Sequence, residues 1–298
     1  MRGEETGMRY LDANTYYRQR FGRPMYKAAV SLDVTCPNRD GTCGAGGCAF
    51  CSEGGSGEFA SPASMSVTES LDLAISKLQA KSKKDMGFIA YFQSFTSTYC
   101  DPEYLRSALN EAISHPLVGA VAIGTRPDCL PDAILDVLSE AASKIPLFVE
   151  LGLQTASDKT AEWFGRGYKT EVFDRAVKQL KARDINVIAH VIFFLKGEGR
   201  DEMLGSVRHV VDSGCDGIKI TCLYILKGTR IVPEWERGEI ALPSMEEYFD
   251  IIEAALEVIP PDMTVHRITG DGPKRLLLAP LWTANKRAVI NYINHRFG

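Results

Sequence analysis

Short apolar, β-branched runs alternate along the chain with stretches whose apolar residues recur at helical spacing, and the alternation is regular from residue 27 to about residue 240. Residues 27–34 (KAAVSLDV), 88–93 (FIAYFQ), 118–125 (VGAVAIGT), 146–153 (PLFVELGL), 186–195 (NVIAHVIFFL) and 217–224 (GIKITCLY) read as six strands. The helices between them have legible starts. Ser66 and Glu69 form a capping box ahead of Val67, Leu71, Ala74, Ile75 and Leu78, which share one face. Asp101-Pro102 reads as an N-cap followed by proline at the first helical position. Pro131, Thr170 and Ser244 (with Glu247 beyond it) open three more helices, and Gly214 ends another after Val207, Val210 and Val211.

Six strand–helix units imply parallel strands joined by right-handed crossovers, either a doubly wound sheet or a (β/α) barrel. Six is fewer than the usual eight, so the expected fold is α/β, a partial (β/α)6 TIM-type barrel over residues 27–240. Residues 1–26 and 241–298 are then N- and C-terminal extensions, and no internal repeat or low-complexity segment is visible. In either architecture chemistry gathers at the C-terminal ends of the strands. A cysteine-rich loop follows the first predicted strand, QSFTST follows the second, TRPDC the third, and Glu150 to Thr155 end the fourth.

Composition narrows the setting. A chain of 298 residues, 45% hydrophobic and 24% charged, can bury a sizeable core without covalent staples. No apolar run approaches the roughly 20 residues of a membrane span, and the N-terminus lacks the apolar core of a signal peptide. A cytoplasmic protein with no membrane association is expected. The net charge of −4 excludes a uniformly basic nucleic-acid coat but not a local patch. Arg18, Arg20, Arg23 and Lys27 form one such patch, and Lys274, Arg275, Lys286 and Arg287 another.

The cysteines change the picture further. Four of the eight stand in one loop, CPNRDGTCGAGGCAFC, residues 36–51. In a reducing cytosol such a cluster reads as metal binding and not as a disulfide knot. The spacing C-x6-C-x4-C-x2-C offers only one close pair for structural zinc. An iron–sulfur cluster needing only Cys36, Cys48 and Cys51 would keep one iron open, with Phe50 able to pack on a flat ligand. On spacing alone both metals stay open.

Cys36, Cys48, Phe50 and Cys51 resemble the cluster signature of radical S-adenosylmethionine (SAM) enzymes, with the long first gap and CPNRDG flank of the YhcC-like branch. GTRPDCL (124–130), ELGLQT (150–155), GRGYKTEVFDRAVKQLK (165–181), AHVIFFLKGE (189–198) and GIKITCLYILKGT (217–229) are similar, in order, to the radical domain of Elongator's catalytic subunit. The resemblance implies a [4Fe–4S] cluster on Cys36, Cys48 and Cys51, whose open iron chelates SAM for reductive cleavage to a 5′-deoxyadenosyl radical. It implies a reductant such as flavodoxin or ferredoxin. It assigns SAM contacts to Phe50, Gln93, Thr96, Glu150 (ribose), Gln154 and Arg166 (methionine end), and substrate-facing roles to His190 and Lys219. Structural salt bridges are the plain alternative for Glu150 and Arg166, and a satisfied core position is the alternative for His190.

The chain departs from its relatives at Gly124, where many carry an acid, and at Lys196, in place of a proline. Cys43 is expected to be a spectator, since a fourth ligand would block SAM, and a second cluster on Cys100, Cys129 and Cys222 is not expected. The expected substrate is tRNA at the wobble uridine, with His266, Arg267, Lys274, Arg275 and Trp282 of residues 265–287 available to clamp backbone and stack on a base. A helix-and-strand cap closing the barrel is the alternative for that segment. A peptide or metabolite substrate, and a non-catalytic zinc-binding RNA scaffold, are the competing functions.

Overall fold

The computed structural model describes residues 8–55, 63–81, 85–270 and 272–298. The start of the expected N-terminal extension (1–7) and Asp271 therefore lie outside the described residues. A seven-stranded, all-parallel sheet organises the chain in the order β1 (Met25–Val30), β2 (Gly87–Phe92), β3 (Val118–Thr125), β4 (Leu147–Gln154), β5 (Asn186–Phe193), β6 (Gly217–Cys222), β8 (Thr264–Arg267). The sheet curls into a half-barrel with its helices outside. A two-stranded antiparallel ribbon, β7 (Ile225–Leu226) with β9 (Leu277–Ala279), stands apart from it.

Six strands fall where the sequence pattern put them; the seventh corrects the count. β8 is four residues long, TVHR, with a histidine and an arginine at its end, so it carries no apolar run to announce it. It pairs in parallel with β6 and belongs to the segment expected to be an extension. β1 ends at Val30 and not Val34, because the chain turns there into the cysteine loop.

The predicted caps hold. Ser66 and Glu69 form the reciprocal box of α2 (Val67–Gln79), Asp101 caps α3 (Pro102–Ser114), and Ser244 with Glu247 boxes α9 (Met245–Val258). Pro131 precedes α4 (Asp132–Ala142), and α6 (Thr170–Lys181) and α7 (Arg200–Asp212) cover β5. Helix α5 (Asp158–Phe164) follows β4, α8 (Val232–Glu236) follows the ribbon's first strand, and α10 (Lys286–Phe297) ends the chain.

Alternation along each strand divides two cores. Leu147, Val149, Leu151 and Leu153 of β4, with Val187, Ala189 and Val191 of β5, face the helices in the main outer core. Their neighbours face the lumen in layers. The floor is apolar, built from Ile89, Ala120, Ala122, Phe148 and Ile188. Helix α1 (Ala13–Phe21) stoppers that end: Tyr17 packs edge-on against Phe148 at 6.0 Å and against His266 at 5.8 Å. The N-terminal segment is thus a bung for the barrel. Lys27, grouped by sequence with a surface patch, points into the lumen and is ion-paired with Glu150.

Candidate active site

Above the apolar floor the lumen turns polar and opens into a cavity of about 310 Å³ at the C-terminal ends of the strands. Cys36, Cys48, Cys51 and Phe50 form one wall, while Tyr91, Gln93, Glu150, His190, Thr221 and Arg267 reach it from the strands. The convergence expected from strand-end motifs is therefore present in three dimensions.

Packing and hydrogen bonds from three directions seat the cysteine loop. The Ala49 amide donates to the Phe164 carbonyl at 2.8 Å, and Phe50 packs on the Phe164 ring at 5.1 Å. Arg230 donates to the Gly47 carbonyl at 2.5 Å. Arg39 donates to the carbonyls of Ser52 and Glu53 while lying over the Phe95 ring. Asn38 donates to the Cys48 sulfur at 3.4 Å. A hydrogen bond from Cys51 pushes the Cys48 thiol down to about 7, against the effect of burial and aided by Arg126 and Asn38. The same bond, with burial, holds the Cys51 thiol well above its ordinary range.

The donor set fits an iron–sulfur cluster. Among the described residues no three thiol, imidazole or carboxylate groups converge tightly enough to hold a single metal ion. Cys36, Cys48 and Cys51 line the same cavity, which suits a multi-iron cluster in which each thiolate ligates a different iron. Cys43 stands apart: it is exposed, lines a second cavity with Cys100 and Cys129, and takes a contact from Arg126 at 3.4 Å.

Next to the cavity floor lies a buried ionic layer. Both Glu150 oxygens are taken, one by Lys27 and the other by Tyr91 (2.7 Å) and Lys219. Burial alone would raise the Glu150 carboxyl; Lys219 and Lys27 overcome it and hold the group well below the usual carboxylate range. Lys219 is pushed down by burial, with Glu150 opposing. Expected to point at substrate, Lys219 instead lies under the cavity as Glu150's partner. Glu150 does line the cavity, but as the centre of this layer and not as a free ribose acceptor.

Arg166 is a second correction. It is 1% exposed. Its Nε donates to the Tyr168 carbonyl (3.0 Å), Nη1 to the carbonyls of Leu153 (2.8 Å) and Thr155 (2.7 Å), and Nη2 to Asp158 and Thr170 (3.0 Å each). A guanidinium has five N–H donors, and all are engaged within the protein. Arg166 therefore staples the end of β4 to the start of α6 and has no fork left for the carboxylate it was expected to grip. Arg126, which the sequence reading had not singled out, also lines the cavity; it pairs with Asp128 at 2.7 Å and lies over the Tyr168 ring.

Gln93 and Thr96 follow the end of β2 and both line the cavity, Thr96 being buried. Gln154 has a left-handed backbone (φ 62°) and Phe95 and Phe194 share that conformation (φ 55° and 65°), so three strand ends around the cavity are strained at non-glycine residues. The Gln154 side chain folds back over Gly152, where an added Cβ would lie 2.3 Å from its Nε2. His190 lines the cavity, with its Nε2 3.2 Å from the Thr221 hydroxyl. Trp282 is not available to stack on a base: its Nε1 donates to the Pro243 carbonyl at 2.9 Å and its ring packs on Tyr248 at 5.5 Å.

Comparison with known proteins agrees with this geometry. The model of the radical SAM superfamily matches residues 38–210, and that of the Radical_SAM C-terminal domain matches residues 215–297. The chain is 40% identical over 289 residues to the uncharacterized protein YtqA of Bacillus subtilis, covering 97% of this chain and 89% of that one. It is 37% identical over 271 residues to protein YhcC of Escherichia coli, covering 90% and 85%. A tRNA uridine(34) acetyltransferase of Methanocaldococcus jannaschii is 29% identical over 174 residues, 57% of this chain but only 31% of that one. Among solved structures, the archaeal Methanocaldococcus infernus Elp3 with an N-terminal deletion superposes with a TM-score of 0.67 at 18% identity, over 91% of this chain and 63% of its own. The superfamily's model covers more than half of the sequence, and the chain belongs to the radical SAM superfamily, whose members work with a [4Fe–4S] cluster and SAM.

Proposed function

We propose that this radical SAM enzyme modifies tRNA, acting on the side chain of the wobble uridine. The observation that carries the reading is the similarity of 57% of the chain to an enzyme named for uridine 34 of tRNA. The chain's own surface supports it: exposed Lys274 and Arg275 directly follow Gly272 and Pro273, which line the cavity. A polyanion held there would present a splayed base to the cavity, a conformation that anticodon loops adopt at little cost. The chain spans well under half of that relative, so an acetyl-transfer step is not part of this proposal.

When bound, the cluster and SAM supply one-electron cleavage of a carbon–sulfur bond, and so a radical able to abstract hydrogen from an unactivated C–H group. The electron comes from an external reductant, for which we favour a flavodoxin or ferredoxin. Cys36, Cys48 and Cys51 would hold the cluster, with Phe50, Gln93, Thr96 and Gln154 arranged around the SAM side. The Glu150 layer and the apolar floor close the lumen from below, which keeps water from the reacting centre. His190 and Thr221 face the space that remains.

The test is 5′-deoxyadenosine release by anaerobically reconstituted protein with dithionite and SAM, with and without bulk tRNA. Release that rises with tRNA is expected. Release indifferent to tRNA would keep the enzyme class and move the substrate to a peptide or metabolite.

A further inference from the structure

The residues level with Gly152 carry an unbalanced charge. The sheet register pairs Gly152 with His190, His190 with Lys219, and Lys219 with Arg267 across β4, β5, β6 and β8. Paired residues of neighbouring strands share a face of the sheet. Lys219 points inward to Glu150, and His190 and Arg267 line the cavity, so this row faces the lumen. Like charges directly opposed on adjacent strands destabilise a sheet. Lys219 is answered by Glu150, but that carboxylate is already shared with Lys27. Arg267 forms no hydrogen bond or ion pair among the described residues.

Glu150, the carboxylate of this layer, is already held by Lys27, Tyr91 and Lys219, so it is not free to pair with Arg267. A group that pairs with Arg267 would be brought by the substrate. We propose that Arg267 is a specificity-determining residue that receives an anionic oxygen group of the substrate, a phosphate or a carboxylate, at the β8 wall of the cavity. This rests on reading the cavity as the reaction chamber. A guanidinium matches either group with two parallel hydrogen bonds, which a lysine cannot do. The chain beyond β8 supports the placement: Gly270, Gly272 and Pro273 line the same cavity as Arg267. For a flipped nucleotide the anion is its own phosphate.

Equilibrium dialysis of the anaerobically purified, SAM-loaded protein tests this, with uridine 5′-monophosphate, uridine, inorganic phosphate and succinate as probes. The monophosphate should bind about tenfold or more tighter than uridine. Arg267→Gln should lose that margin and Arg267→Lys should keep part of it. Arg267→Gln should melt no lower than the unsubstituted chain, because it removes a like-charge neighbour and no bond. Succinate held more tightly than phosphate, with the same loss in Arg267→Gln, would assign the subsite to a carboxylate substrate. Anion affinities unchanged by Arg267→Gln, or a lowered melting temperature as its sole effect, would overturn the proposal. Binding is read without turnover, so protein that holds anions through Arg267 yet never cleaves SAM would count against the proposed function and leave this inference standing.

Discussion

Burial pushes the His190 imidazole down to about 4, and Lys219 beside it acts in the same direction. The ring is therefore neutral at physiological pH, able to donate or accept one hydrogen bond with Thr221 but not to serve as a cationic acid. The sign of the linkage follows from the lowered value. The unfolded chain takes up the His190 proton near pH 6.5, the folded chain only near 4, so this group's contribution is complete above about 6.5 and lost as pH falls toward 4. Because the ring lines a cavity and is only half-buried, the loss is about 2 kcal/mol. Urea unfolding at pH 7 and pH 5 should show His190→Gln with a correspondingly flatter pH dependence than the unsubstituted chain; parallel curves would refute it. Arg166 makes the opposite kind of case. Its donors close off the Leu153 and Thr155 carbonyls, and Arg166→Lys leaves several of these groups buried without partners. Denaturant unfolding should register a loss of about 3 kcal/mol. Unchanged stability with weakened SAM binding would return Arg166 to the ligand role that its motif suggested.

At the scale of elements, apolar runs and caps made six strands and most helices readable, because each buries a continuous face or satisfies its first turn with a named side chain. β8 escaped for the reason that makes it useful: Val265 is its one residue in the outer core, and it ends in His266 and Arg267, turned toward α1 and the cavity. No pattern of period two can be seen in so few residues. Gly217 on β6 was a faint sign of it, since a Cβ there would lie 2.7 Å from the His266 ring. The site was legible in its cysteines and strand-end motifs. The partnership of Lys27, Glu150 and Lys219 was not, because residues so distant in sequence meet only once the sheet curls. The cysteine loop gives the sharpest test at this scale. Alanine at Cys36, Cys48 or Cys51 should abolish the brown chromophore, and alanine at Cys43, on the other cavity, should leave it and an iron content near four per chain unchanged. Iron lost with Cys43→Ala would make that thiol a ligand.

For the molecule as a whole, charge is distributed by position more than by sum. The net charge is −4, yet the lumen sets Lys27 and Lys219 on one carboxylate and Arg267 in the cavity wall, and exposed Lys274 and Arg275 follow the cavity-lining Gly272 and Pro273. A polyanion drawn along this path would have its backbone held outside and one group delivered inside, which is the geometry a tRNA substrate requires. The N-terminal arginines contribute less, because Arg20 is folded over Tyr16 and Phe148 at the barrel's opposite end. Reversing the charge of both Lys274 and Arg275 to glutamate should cut tRNA retention on a filter by about tenfold or more at low salt. The difference should shrink as salt rises, because counterion release drives the contact. Both residues are exposed and lie outside the cysteine loop, so the variant's iron content and visible spectrum should match the unsubstituted protein. Retention unchanged by the double reversal, in protein with its cluster intact, would place the nucleic acid elsewhere or remove it as the substrate. Retention lost equally at every salt concentration would point to a misfolded loop and not to an electrostatic contact.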